Sequence, residues 1–156
     1  MNKILIVVLL GWAAGALADP GPLVIDKSGK GRVSNGDIEG VHQEIATGTT
    51  ELRKIQLAIL NGMIQTKGRA WTYDGEGDGY ILARFDYRGH TIVTRIEYDQ
   101  ALVQLKFHGG SEAYECENLQ ENGVCYKNHK GYFNYTKNLR ASIARNLQLV
   151  STGASS

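Results

Sequence analysis

Apolar residues recur in this chain on two different periods. From about Thr50 to Lys67, Leu52, Ile55, Ile59 and Met63 return at steps of three and four, and Leu60 and Ile64 widen the stripe. Lys54, Asn61 and Gln65 fall on the opposite side. This spacing predicts an amphipathic helix, with Thr49 or Thr50 as its cap and Gly68 as its stop. Gly62 inside it costs up to ~1 kcal/mol against alanine, or lets a strand approach closely. A second helix is predicted from about Tyr132 to Val150, where Tyr135, Leu139, Ile143, Leu147 and Val150 share one stripe.

Between the helices the period is two. Ala70–Tyr73 is short and aromatic. Tyr80–Tyr87, His90–Tyr98 and Leu102–Phe107 alternate, with Ile81, Ala83, Phe85 and Tyr87, then Ile92, Thr94, Ile96 and Tyr98, then Val103, Leu105 and Phe107 on one face. The links are short, which predicts an antiparallel meander with one face buried and one wet. The wet face would carry Tyr80, Leu82, Arg84, Asp86, Arg88, Arg95, Glu97, Gln104, Lys106 and His108. The order α-β-β-β-β-α predicts an α+β two-layer sandwich. In it a four-stranded meander carries an N-terminal and a C-terminal helix on one face. Trp71, Tyr98 and Tyr135 are expected to pack the helices on the sheet rather than form a ligand cage.

The flanks carry no such period. Residues 1–18 hold one cation, Lys3, an apolar run from Ile4 to Leu10, and small residues ending Ala16-Leu17-Ala18. That is the layout of a secretory signal peptide cleaved before Asp19, and its apolar run is too short to cross a bilayer. A periplasmic or secreted location follows as the expectation. Residues 19–48, with both prolines and many glycines, read as a flexible leader. Residues 49–150 read as the single domain, and 151–156 as a disordered tail.

Taking Lys3 from the 17 basic residues leaves them equal to the 16 acidic ones, so bulk nucleic-acid binding is not expected. The charge is segregated, however. Glu112, Glu115, Glu117 and Glu121 precede a stretch from Asn122 to Ser156 that holds five basic residues and no acid. That stretch is a solvated face, or a basic face for anionic lipid or glycan. The two cysteines, Cys116 and Cys125, are expected to pair in an exported protein. The competing reading gives them to a metal together with His129.

Candidate chemistry is sparse. Ser28-Gly29-Lys30-Gly31-Arg32 lacks phosphate-loop spacing. Asp74-Gly75-Glu76-Gly77-Asp78-Gly79 resembles half a calcium loop, but the twelfth position is Phe85, so an acidic hairpin turn is expected. Asn134-Tyr135-Thr136 is a glycosylation sequon inside a predicted helix. Ser111 lacks a nucleophile elbow. His42, His90, His108 and His129 form no metal-binding spacing, and no cofactor or metal is expected.

Residues 55–139 resemble a family of small, largely uncharacterised proteobacterial exported proteins, many of them lipoproteins. The resemblance lies in Arg69-Ala70-Trp71, in Ile81 and Ala83, in Arg88-Gly89-His90, in the alternation Ile92, Thr94, Ile96 and Tyr98, and in His129, Tyr132, Asn138 and Leu139. Phe133, Tyr135 and Thr136 depart from its usual Asn, Trp and Val, and the lipid-attachment cysteine is missing. The resemblance implies an envelope location and an α+β fold, with no established activity. It also singles out His90 and His129. They are expected to be structural, each hydrogen-bonded to local backbone or carboxylate. The competing reading brings them into one pocket with Arg88 as an anion anchor.

The sequence as a whole points to a non-enzymatic binding or interaction module of the cell envelope, whose partner is an envelope protein or an anionic glycan or lipid. An inhibitor or immunity-type protein of an envelope hydrolase, inserting the loop 112–125, is the first alternative. A small hydrolase using His90 or His129 is the second.

Overall fold

The computed structural model describes residues 19–29 and 31–153; the signal-like segment 1–18 and the last three residues lie outside them. Eight regular elements follow in chain order: α1 (Asn35–His42), β1 (Ile45–Ala46), α2 (Leu52–Ile64), β2 (Thr72–Gly77), β3 (Tyr80–Tyr87), β4 (His90–Tyr98), β5 (Leu102–Gly110) and α3 (Lys130–Ser151). A single helical turn, Glu112–Tyr114, precedes the disulfide loop.

The class is α+β, and the sheet is antiparallel throughout, in the order β1-β5-β4-β3-β2. The predicted meander is therefore present, but the sheet has five strands rather than four. The fifth is β1, only two residues long, which pairs Ile45 with Val103 and Ala46 with Leu102. Two residues leave no alternation to read. Strands β3 and β4 have the predicted bounds. They pair across the two-residue turn Arg88-Gly89, with Tyr87 opposite His90.

The sheet's inner face is the expected one. Ile81, Ala83, Phe85, Ile92, Ile96, Val103 and Leu105 are buried with Ile55, Ile59 and Met63 of α2 and with Leu139, Ile143 and Leu147 of α3. The stripe of α2 is rotated from its predicted line. Leu52 and Ile64 are exposed, whereas Ala58 and Gly62 are buried. The reason is close helix packing. A Cβ on Gly62 would lie 2.7 Å from Ile143 Cα, so this glycine lets α3, rather than a strand, approach.

The segment 19–48 is not structureless. It carries α1, whose N-cap Ser34 accepts from Asp37 N, and whose Ile38, Val41 and His42 are buried. α1 packs on α3 and β5. A helix of eight residues with two aliphatic anchors gives almost no periodic signal, and its third buried side chain is a histidine. Residues 19–26 then run as an extended strap: Leu23 N donates to Glu44 Oε2 at 3.1 Å and Asp26 N to Tyr126 Oη at 2.7 Å. The strap crosses the sheet's outer face, so the predicted wet face is partly covered there. Glu97 and Gln104 are buried. The C-terminal end also differs, because α3 continues to Ser151 before Thr152 and Gly153 turn away.

Candidate functional site

One end of the sheet, where the β3–β4 turn meets α3 and the loop after α2, gathers the aromatic residues. Trp71 is held there by its N–H, which donates to Met63 O at 3.0 Å and closes the loop behind α2. Its ring is buried against Phe85, with centroids 5.1 Å apart. Tyr135 of α3 stacks on Phe85 as well, at 4.6 Å. Tyr87 stands 6.1 Å from Tyr135, edge-on. Trp71, Phe85, Tyr87 and Tyr135 line a cleft of about 500 Å³, whose rim is Thr66, Lys67, Gly68, Arg69 and Asn138. The expectation that Trp71 and Tyr98 pack in the core holds: both are buried. Tyr135 is half-buried and forms a wall of the cleft as well.

Two guanidinium groups sit on the Tyr87 ring. Arg69 Cζ lies 5.3 Å and Arg88 Cζ 5.1 Å from its centroid. Each such contact is worth about 0.5–1 kcal/mol at an exposed site. Both arginines are exposed, and neither forms an ion pair among the described residues. Arg88 has φ of 50°, followed by Gly89 at 79°. Two positive φ values in a row make the twisted two-residue hairpin turn that Asn-Gly suits best. Arginine there is sterically disfavoured, and strained positions of this kind cluster at functional sites.

Below the cleft, Tyr114 forms the link to the two histidines. His90 meets its ring edge-on at 5.7 Å and His129 at 5.5 Å. The Tyr114 ring thus contacts both imidazoles. His129 Nδ1 accepts from Gly131 N at 3.0 Å and so caps α3. His90 is exposed and packs only by its ring. Arg88 points to Tyr87. Burial, reinforced by the neighbouring Tyr135 and Tyr87 hydroxyls, pushes the Tyr114 phenol above its ordinary pKa. No cluster of three or more His, Cys, Asp or Glu with metal-binding geometry occurs among the described residues. The site offers cations, phenols and aromatic surface.

The Cys116 and Cys125 sulfurs lie 1.99 Å apart, closing a loop that carries Glu117 and Glu121, with Glu112 and Glu115 just ahead of it. Val124, Cys125 and Tyr126 anchor that loop in the interior, and Leu119, bridged to Cys125 ahead of the turn at 120–123, stays exposed. Sequence reasoning had no basis for singling out two further residues. His42 is fully buried and hydrogen-bonded at both ring nitrogens. Glu97 is buried among Arg95, Lys106 and the strap. An isolated histidine or glutamate in a polar stretch carries no signal of either fate. Comparison with protein-family models, with curated proteins and with solved structures finds no match to this chain.

Proposed function

We propose that the protein is exported behind a cleaved signal peptide and acts in the cell envelope or outside it as a non-enzymatic binding module. Its binding surface is the Tyr87–Tyr135 cleft. Its ligand carries a carboxylate or phosphate, the chemistry of an anionic glycan or a lipid headgroup. The observation that carries this reading is that Arg69, which lines the aromatic cleft, and Arg88 beside it both lie on the ring of Tyr87, and neither forms an ion pair among the described residues. Guanidinium forks match carboxylate and phosphate geometry, and aromatic walls accept the rest of the ligand beside the charge.

The test is an NMR titration of the exported protein with a uronic-acid oligosaccharide, with glycerol phosphate, and with a neutral oligosaccharide of equal size. Shifts confined to Arg69, Arg88, Tyr87 and Tyr135 with either anion, and absent with the neutral sugar, support the reading. Anions that leave these residues unmoved contradict it.

A second reading, an inhibitor of an envelope hydrolase, draws on the disulfide-closed loop. Leu119 is exposed and bridged to Cys125, whose side chain and that of Val124 are buried, so the disulfide-closed loop presents one apolar side chain to solvent. In that case Leu119→Asp, and not Arg88→Asn, abolishes activity against the target.

A further inference from the structure

The outer face of the sheet holds a built carboxylate site. Glu97 of β4 is only 5 % exposed. Arg95 Nε donates to its Oε1 at 2.7 Å, and Lys106 Nζ lies 2.5 Å from its Oε2. The third partner of the carboxylate is the backbone nitrogen of Asp19, which donates to Oε2 at 3.1 Å. The strap is pinned in register beyond that point. Lys106 Nζ donates to Asp19 O at 3.0 Å, Gly21 N donates to Gln104 Oε1 at 3.2 Å, and Gln104 Nε2 returns to Gly21 O at 2.9 Å. Residue 19 is also the first residue after the predicted signal peptide.

We propose that Glu97 is the receptor for the α-ammonium group of Asp19, set free when the leader is cut away, so that processing completes the outer face of the sheet. The inference rests on the signal-peptide reading given above. Water attacks the Ala18 carbonyl under a leader peptidase, and the Ala18–Asp19 amide bond breaks. Ala18 leaves as a carboxylate, and the Asp19 nitrogen takes up protons to become an ammonium. An amide nitrogen offers Glu97 one neutral donor. An ammonium offers three donors and a full charge, and charge-assisted hydrogen bonds are about twice as strong.

The local charge favours the exchange. The cleft of about 400 Å³ around Glu97 is lined by three acidic residues, Asp19, Glu97 and Glu121, and by two basic ones, Arg95 and Lys106. One negative charge is left over, and the released ammonium balances it. Lys106 shares Oε2 with the new cation and opposes it; Glu121 and the Asp19 side chain offset that repulsion. A cation stabilised this way titrates higher in the folded state than in the unfolded one. Its contribution is complete below the unfolded value, about 7.7–8.0, and is lost as pH rises through the raised folded value.

The experiment uses full-length protein processed by an exporting bacterial host. N-terminal sequencing and intact mass give the first residue, and NMR of the α-amino group gives its titration. The expected result is a chain that starts at Asp19, with an amino group titrating clearly above about 7.7–8.0. In Glu97→Gln that titration returns to the ordinary range. Selective acetylation of the amino terminus lowers the melting temperature of the parent protein and leaves that of Glu97→Gln unmoved. If the variant does not fold, the acetylation of the parent decides. A chain that starts elsewhere overturns the processing and the docking together. A chain that starts at Asp19, titrates normally and tolerates acetylation overturns the docking alone.

Discussion

His42 Nε2 accepts a hydrogen bond from Cys125 N at 3.1 Å, across 83 positions of sequence. Its other ring nitrogen, Nδ1, donates to Leu105 O at 2.8 Å. One neutral tautomer satisfies both partners, and it ties α1, β5 and the disulfide loop together at a point without access to water. Burial holds the His42 pKa down at about 4, against an ordinary 6.5.

The sign of the resulting pH dependence follows. Between 6.5 and about 4 the unfolded chain takes up a proton at His42 that the folded chain refuses. Stability falls as pH drops through that window and levels off below it, by roughly 3 kcal/mol in all. Proton NMR of the folded protein reads this directly. The His42 ring resonances are expected to stay constant from pH 7 to 5. A His42 resonance that moves near pH 6.5 contradicts the assignment.

The Cys116–Cys125 bridge closes a loop spanning nine positions. On the chain-entropy estimate such a bridge contributes roughly 2–3 kcal/mol. Thiol titration of the unfolded, unreduced protein is expected to find no free thiol, and reduction is expected to lower the urea midpoint. Two reactive thiols would return the pair to the metal reading.

Trp71 is a core residue that also forms the floor of the cleft. Trp71→Ala removes its packing on Phe85 and is expected to cost about 3 kcal/mol. Denaturant unfolding measures the loss, and an unchanged midpoint would mean that the ring packs on ligand rather than on the sheet.

Gly62→Ala separates two opposed effects. Helix propensity alone favours alanine by about 1 kcal/mol. The new Cβ, however, would lie 2.7 Å from Ile143 Cα, a backbone atom that cannot swing aside. Separation of α2 from α3 is the expected result, with a net loss of about 1–3 kcal/mol, the usual cost of overpacking. A gain in stability would show that the two helices have room to part.

What could be read from the chain beforehand divides along physical lines. Strands β3 and β4 were legible because each alternates over eight or nine residues and the two-residue turn between them fixes their register. α3 was legible from its repeated stripe. β1 and α1 were not, since a two-residue strand and a helix with a buried histidine offer no period to count. Glu97 looked like wet-face material because alternation reports which side a residue faces, not whether a strap 78 positions away covers that side. Of the candidate site, Arg88 could be singled out beside Gly89. Arg69 could not, because its placement on Tyr87 depends on the loop after α2 returning to the sheet.

The strain at Arg88 allows the binding role to be tested apart from the fold. Asparagine suits the positive φ of this turn position better than arginine, so Arg88→Asn is expected to leave stability unchanged or slightly raised. The same change removes one of the two guanidinium groups on the Tyr87 ring, which lines the cleft. The most direct measurement is therefore calorimetric titration of wild type and Arg88→Asn with the anionic oligosaccharide, alongside their melting temperatures. The expected result is a variant at least as stable as the parent that binds the anion about tenfold or more weakly, the loss of one charge-assisted contact of roughly 1.5–3 kcal/mol. A variant of equal stability that binds the anion as well as the parent contradicts the assignment of this cleft.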